Sequence, residues 1–211
     1  MSVRAAKPTA TRRGARWACP TRNAAWRAVG VPYAERGKRT DQALRLLPSL
    51  VEGRATDVDG EQVTLAPAAP MPPVLVGGGR VGRRRAAQHG NAWMPAFLTP
   101  QAVAVGVREL ADLAAKYDRP VPSVTVSVRV ALGDQPASVI DQGIRTLVAY
   151  GLSEADARTS MITGSPARAA EKLAELAQAG ATRVVGMPFT DDRPRQAELL
   201  AEAARLTTVS E

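Results

Sequence analysis

The chain has 211 residues, of which 45% are hydrophobic, a composition that excludes a disordered polypeptide and favours a globular domain. No apolar run reaches the roughly 20 residues that a membrane-spanning helix needs, so we expect no membrane segment. A single cysteine, Cys19, excludes an internal disulfide and is typical of a protein in the reducing cytoplasm, which is the location we expect.

The positive charge is concentrated at the start of the chain. The net charge is +8, but residues 1–28 hold seven Lys and Arg without an acidic residue, and the remainder holds 21 basic against 20 acidic residues. We therefore predict a basic, poorly ordered tail over residues 1–28 and a folded domain over residues 29–211. A nucleic-acid binder that uses the tail stays open as an alternative, although the usual footprint of such binding is a basic stripe on a folded face.

The first predicted element is an amphipathic helix within residues 36–51, where Ala43, Leu47, Leu50 and Val51 fall on one face. Thr40 is placed to cap this helix, and Pro48 is expected to kink or shorten it. In the connection that follows, the pair Asp59-Gly60 is typical of a hairpin turn. The domain therefore opens with a helix and a short hairpin.

The rest of the chain alternates apolar strands with amphipathic helices. Repeated βα units imply a parallel sheet with helices outside it. Since a full (β/α)₈ barrel takes eight strands, four good strands indicate a half barrel or a small open α/β sheet. The strands are predicted at 74–76, 92–94, 124–130 and 183–187, and the helices begin near residues 80, 100, 136, 166 and 194.

A glycine-rich loop joins the first of these strands to its helix. Gly77, Gly78 and Gly79 remove every β-carbon from the turn, so its backbone can adopt positive φ and approach a ligand closely. A helix that begins near Arg80 would direct free N–H groups and its positive dipole end at that gap, which favours a phosphate. The spacing matches neither the P-loop nor G-x-G-x-x-G. A phosphate loop and a plain strand-to-helix connection therefore both stay open.

Four other features could carry chemistry, and each has a structural interpretation beside the chemical one. His89 could be an acid or base, but its place at a helix end favours a residue stabilised by the helix dipole. Trp93 could face a cofactor, although we favour the core. Arg83–Arg85 could hold a phosphate, but such a run is usually a solvated face. Cys19 lacks the neighbours of a nucleophile. No cluster of metal ligands is evident, so we expect no metal site.

Four segments, in the same order and at the same spacing, resemble one known family. The longest read GVPYAERGKRTDQAL at residues 30–44 and PVLVGGGRVGRRRAAQHGNAWMP at residues 73–95, and they are joined by residues 163–166 and 184–189. Together they resemble the luciferase-like monooxygenases, which are TIM-barrel oxidoreductases that use FMN or the deazaflavin coenzyme F420. The resemblance extends from about residue 29 to about residue 206.

The resemblance implies a fold, a cofactor and part of a site. It implies a partial (β/α)₈ barrel with about strands five to eight, a flavin- or F420-dependent oxidoreductase of the monooxygenase type, and a small-molecule substrate. In this family the glycine loop contacts the cofactor phosphate, which carries over to Gly77, Gly78, Gly79 and, more weakly, Arg80. The resemblance also implies, more weakly, that Thr163 and Gly164 contact the cofactor.

The chain also departs from the family. The family's first three strands have no counterpart here, and residues 12–25 do not resemble its fourth strand. Because those segments supply most polar groups near the substrate, the catalytic residues stay unknown. We expect a truncated member of the family. The alternative is an inactive half-barrel fragment that self-associates, and a homo-oligomer is expected because a half barrel exposes two strand edges.

Overall fold

A computed structural model of the chain describes residues 26–208. The predicted tail falls outside the described residues except for 26–28, and Cys19 falls outside them as well. The strands are β1 Thr56–Val58, β2 Glu61–Val63, β3 Leu75–Gly77, β4 Ala92–Met94, β5 Ser123–Leu132, β6 Met161–Gly164 and β7 Arg183–Pro188. The helices are α1 Arg36–Val51, α2 Arg80–His89, α3 Pro100–Lys116, α4 Ala137–Ala149, α5 Glu154–Ser160, α6 Pro166–Gln178 and α7 Arg193–Thr208.

Helix α1 reaches Val51, the last residue of its predicted apolar face, but its predicted beginning is wrong. The helix begins at Arg36 because a 3₁₀ turn over Tyr33–Glu35 runs directly into it, so Thr40 is not the N-cap. The Thr40 hydroxyl instead donates to the Arg36 carbonyl at 2.7 Å, within the helix. Pro48 lies inside the helix, which continues to Val51. The missing N–H of one proline near the last turn therefore does not end the helix.

The predicted hairpin turn is confirmed. Strands β1 and β2 pair antiparallel, with Thr56 opposite Val63. Asp59 and Gly60 both have positive φ, 55° and 94°, which is the backbone that a tight two-residue hairpin turn requires.

Strands β3 to β7 form one parallel sheet. Strand β4 pairs with β3 on one side and with the start of β5 on the other. Ser127 of β5 pairs with Ala96 just beyond β4 on one edge and with Val185 of β7 on the opposite edge. The sheet is thus an arc in the order β3-β4-β5-β7, with helices between successive strands. This arrangement is that of a partial (β/α)₈ barrel, and the predicted fold class is confirmed.

Strand β6 is an addition to the arc that the sequence did not predict. Arg129 of β5 pairs with Met161 of β6 and with Met187 of β7, so these two strands lie on opposite edges of β5. β6 therefore occupies the edge that β4 occupies nearer the start of β5. Four residues without alternation carry too weak a strand signal, and the pattern around Thr163 indicated only the beginning of a helix.

Helix α5 was also missed, although its sequence signal is present. The Ser153 hydroxyl accepts the Asp156 N–H at 3.1 Å and donates to the Asp156 carboxylate at 2.7 Å. A serine followed three residues later by an acidic residue is a known sign of a helix N-terminus.

The main core lies between the sheet and helices α3, α6 and α7. The valines at even positions of β5, 124 to 130, are at most 3% exposed and pack with Leu110 and Leu176 of the helices. Since side chains alternate along a strand, Ser127 and Arg129 lie on the other, inner face of the arc. The predicted alternation in β5 is confirmed, and it places a polar row on the side of the arc that is turned away from the helices.

Candidate functional site

The glycine loop lies where β3 ends and α2 begins. Gly77 is the last residue of β3, Gly78 has a φ of +104°, and Gly79 occupies the N-cap position of α2. The three glycines are exposed. A β-carbon on Gly79 would meet no atom within 4 Å, whereas one on Gly82 would lie 2.2 Å from the Gly77 carbonyl oxygen. The helix therefore approaches the end of the strand closely, while the space in front of Gly79 stays open.

The first turn of α2 presents unpaired backbone donors to that open space. The Arg83 N–H donates to the Gly79 carbonyl at 2.9 Å, which is the first bond of the helix. The N–H groups of residues 80–82 have no helical acceptor, and no side chain of the described residues caps them. Four other helices are capped by the side chains of Thr99, Ser153, Ser165 and Asp192.

Trp93 holds the glycine loop in place. Its side chain is fully buried, and the indole Nε1 donates to the Gly78 carbonyl at 2.7 Å. A β-carbon on Gly106 of α3 would lie 2.3 Å from the indole ring, so α3 packs directly on the ring. The prediction that Trp93 fills the core is confirmed. The structure adds a hydrogen bond that ties the core to the loop.

We expect Trp93→Phe to lower the free energy of unfolding by about 1–3 kcal/mol, because it leaves a cavity and removes the donor to the Gly78 carbonyl. The same change should speed amide hydrogen exchange in residues 78–82. Denaturant unfolding and exchange measurements check both effects, with Trp26→Phe as the control. Unchanged exchange in the loop would show that the indole does not hold it.

The three consecutive arginines of α2 form ion pairs with carboxylates of neighbouring helices. Arg83 pairs with Glu109 of α3, and its guanidinium carbon lies 5.1 Å from the centre of the Trp93 ring. Arg85 and Arg84 both bind Asp41 of α1, at 2.7 and 3.0 Å, and these hydrogen bonds hold the pKa of Asp41 below its ordinary value. The interpretation as a solvated face is wrong for Arg83 and Arg85, whose side chains are 13% and 15% exposed.

Arg80 differs from these three arginines. It is exposed at the first position of α2, and among the described residues no carboxylate forms an ion pair with it. It lines a groove between α2 and α3 together with Asp112 and Lys116. Its backbone N–H is one of the free donors beside Gly79, so a contact with a ligand through the main chain stays a prediction.

The end of α2 is stabilised by Arg119 rather than by His89. Arg119 donates to the carbonyls of Ala87 and Gly90, both at 3.2 Å. Burial, and next the nearby charge of Arg119, lower the pKa of His89 below its ordinary value. His89 is the last residue of α2, at the helix end where the sequence placed it, but the carbonyls there accept hydrogen bonds from Arg119.

Thr163 and Gly164 lie at the end of β6, beside the end of β5. Thr163 pairs with Ala131, and the Gly164 carbonyl accepts the Gly133 N–H at 2.8 Å. Ser165 then caps α6, which begins at Pro166 as the sequence predicted. These contacts give the pair a structural role, and a contact with a cofactor stays a prediction.

Comparisons with known proteins give one matching family model and a relative in sequence. The family model described as luciferase-like monooxygenase matches residues 21–160. An uncharacterized protein of Mycobacterium tuberculosis is 36% identical over 73 residues, which are 31% of this chain and 25% of that protein. The match therefore spans a quarter of the relative's length.

Solved structures show the same fold. An F420-dependent secondary alcohol dehydrogenase in complex with an F420-acetone adduct is similar with a TM-score of 0.68 at 12% identity, over 82% of this chain and 62% of that one. Riboflavin lyase with modified FMN and riboflavin is similar with a TM-score of 0.68 at 14% identity, over 90% of this chain and 62% of that one. EDTA monooxygenase from Chelativorans sp. BNC1 is similar with a TM-score of 0.63 at 16% identity, over 89% of this chain and 64% of that one. This chain spans less than two thirds of each structure. Within residues 26–208, none of the helices could cross a lipid bilayer.

Proposed function

The chain belongs to the luciferase-like monooxygenase family, and from this premise we propose that it is an oxidoreductase that binds FMN or coenzyme F420 and acts on a small organic molecule. The proposed site residues for the cofactor are Gly77, Gly78, Gly79 and Arg80, with Thr163 and Gly164 as further candidates. The proposed folded unit is residues 29–211.

One observation carries the proposal: the open space at Gly79, in front of an uncapped helix N-terminus. A phosphate needs hydrogen-bond donors, positive potential and room, and the loop offers all three. Residues 80–82 present free N–H groups, and Gly79 has no side chain to fill the space in front of them. The Trp93 indole fixes the Gly78 peptide through its hydrogen bond to the Gly78 carbonyl. The residues present therefore fit the phosphate end of either cofactor.

The solved relatives support the choice of cofactor. One relative carries an F420 adduct and another a modified FMN. When bound, either cofactor supplies hydride transfer, and reduced FMN also supplies reaction with oxygen. The contribution of this chain would be to hold the phosphate at the loop through the free N–H groups of residues 80–82.

The proposal is tested by titrating the purified full-length chain with FMN and separately with F420, followed by the fluorescence of the cofactor. We expect saturable binding of one of them, with inorganic phosphate as a competitor. If neither cofactor binds, the chain has the fold of the family without its activity, and the alternative of an inactive half barrel is favoured.

We further propose that a second copy completes the arc. None of the residues of α1 is buried, and within the described residues the outer edge of β3 has no paired strand, while Leu75 on that strand is 42% exposed. An exposed strand edge favours association. Light scattering during gel filtration, with and without the cofactor, gives the number of copies.

A further inference from the structure

A second cleft lies between α4 and the loop that follows β7. It has a volume of about 460 Å³. Gln142 and Thr146 line it on the side of α4, Thr190 and Asp191 line it on the side of the loop, and Arg129 reaches it from the inner face of β5. The cleft is therefore at the carboxyl ends of β5 and β7, the end of a (β/α)₈ barrel where active sites are built.

Two residues that line this cleft each have a buried polar side-chain atom that lacks a hydrogen-bond partner. These atoms are the Nε of Arg129 and the hydroxyl oxygen of Thr190. In residues 26–208 only one further buried side-chain nitrogen or oxygen lacks a hydrogen bond, the Nε of Arg83. Two of these three atoms therefore belong to residues that line this cleft. A buried polar group without a partner is costly, and a charged one more so, unless something supplies the missing bond.

The charge of the cleft suits an anion. Arg129 forms no ion pair among the described residues, and its guanidinium carbon lies 5.7 Å from the centre of the Phe189 ring. Asp191 and Arg193 are exposed and of opposite charge, so they offset each other at the rim. The net charge inside is that of Arg129, whose planar guanidinium binds carboxylates and phosphates well.

We infer that this cleft binds the carboxylate or phosphate group of the substrate, with Arg129 as the ion-pair partner and the Thr190 hydroxyl as a hydrogen-bond donor. That the anion belongs to a substrate rests on the proposed function, whereas anion binding itself does not. The glycine loop lies at the far side of the arc, on β3, so the two anion sites are separate parts of the same molecule.

The test is calorimetric titration of the full-length chain with inorganic phosphate and, separately, with benzoate, which distinguishes the two kinds of oxyanion. We expect Arg129→Gln to weaken binding of the preferred anion at least tenfold and Arg129→Lys to retain part of it, since the charge remains. Arg145→Gln is the matched control, because Arg145 is an exposed arginine that lines a different groove of α4. It should change the affinity less than twofold.

Thr190→Val is expected to raise the stability of the ligand-free protein while it lowers the affinity for the anion. Valine has nearly the shape of threonine and removes the unpartnered oxygen, so the ligand-free protein should melt about 2 °C higher. The affinity for the anion should fall several-fold at the same time. This variant keeps the inference testable if Arg129→Gln does not fold.

The outcomes separate the two proposals. Binding of phosphate or benzoate that is unchanged by both Arg129→Gln and Thr190→Val would overturn the inference, as would binding lost only when the glycine loop is altered. If FMN or F420 binds while neither anion does, the inference fails and the proposed function stands. If neither cofactor binds but anion binding depends on Arg129, the cleft is confirmed as an anion site and the proposed function fails.

Discussion

Replacing Gly79 by aspartate is expected to weaken the binding of FMN or F420 at least a hundredfold, about 2.7 kcal/mol. An Asp side chain at this N-cap position would accept the free N–H groups of the first turn of α2, and its negative charge would stand where the phosphate binds. Because a β-carbon on Gly79 meets nothing within 4 Å, the side chain has room. Fluorescence titration measures the affinity, and thermal melting shows that the variant is folded.

Gly79→Asn is the matched control for this prediction. Asparagine caps a helix about as well as aspartate and has the same shape, but it carries no charge. We expect Gly79→Asn to bind the cofactor at least tenfold more tightly than Gly79→Asp, while both melt at similar temperatures. If both variants bind like the wild type, the loop does not hold the phosphate.

The position of the substitution matters for this test. Gly78 has a φ of +104°, a conformation that other residues rarely adopt, so aspartate there would strain the backbone as well as block the ligand. Gly79 has a φ of −79° and lies in open space. A loss of affinity at Gly79 can therefore be attributed to the charge and the occupied N–H groups.

Replacing Gly82 by alanine is expected to lower the free energy of unfolding by more than about 2 kcal/mol, against the direction that helix propensity predicts. Alanine should stabilise the interior of a helix by about 1 kcal/mol relative to glycine. However, its β-carbon would lie 2.2 Å from the carbonyl oxygen of Gly77 and 2.9 Å from the carbonyl carbon. These are backbone atoms of β3, which cannot move aside as a flexible side chain could, so the clash outweighs the propensity.

Urea unfolding of Gly82→Ala and of Gly79→Ala measures this effect. Gly79→Ala introduces the same β-carbon three residues earlier, where it meets no atom within 4 Å. We expect the control to lose much less stability than Gly82→Ala. A Gly82→Ala protein as stable as the wild type would mean that α2 does not approach the end of β3 as closely as described.

The arginines of α2 show why the sequence predicted the glycine loop but not the ion pairs of the helix that follows it. A run of arginines at residues 83–85 has the same local pattern whether it faces solvent, a phosphate or a protein carboxylate. The structure assigns the carboxylates of Asp41 and Glu109 to these arginines, at sequence separations of about 25 to 45 residues. Periodicity contains no information about partners so distant.

The missed elements have a related cause. Strand β6 is defined by its pairing with Arg129–Leu132 of β5, and its own four residues carry little pattern. The beginning of α1 was misplaced because Thr40 looks like a cap by residue type, while the preceding 3₁₀ turn had already begun the helix. Residue preferences are weak when the neighbouring chain can supply the same hydrogen bonds.

The sequence by itself determined the family, the parallel arc, the turn at Asp59-Gly60 and the glycine loop, because periods, caps and turn residues act over a few positions along the chain. Only the tertiary structure decided that the Trp93 indole binds the Gly78 carbonyl, that Arg119 completes the end of α2, and that Arg129 and Thr190, each with a buried polar atom that lacks a hydrogen bond, line one cleft. These contacts join residues far apart in sequence, and they form only when strands and helices pack against each other.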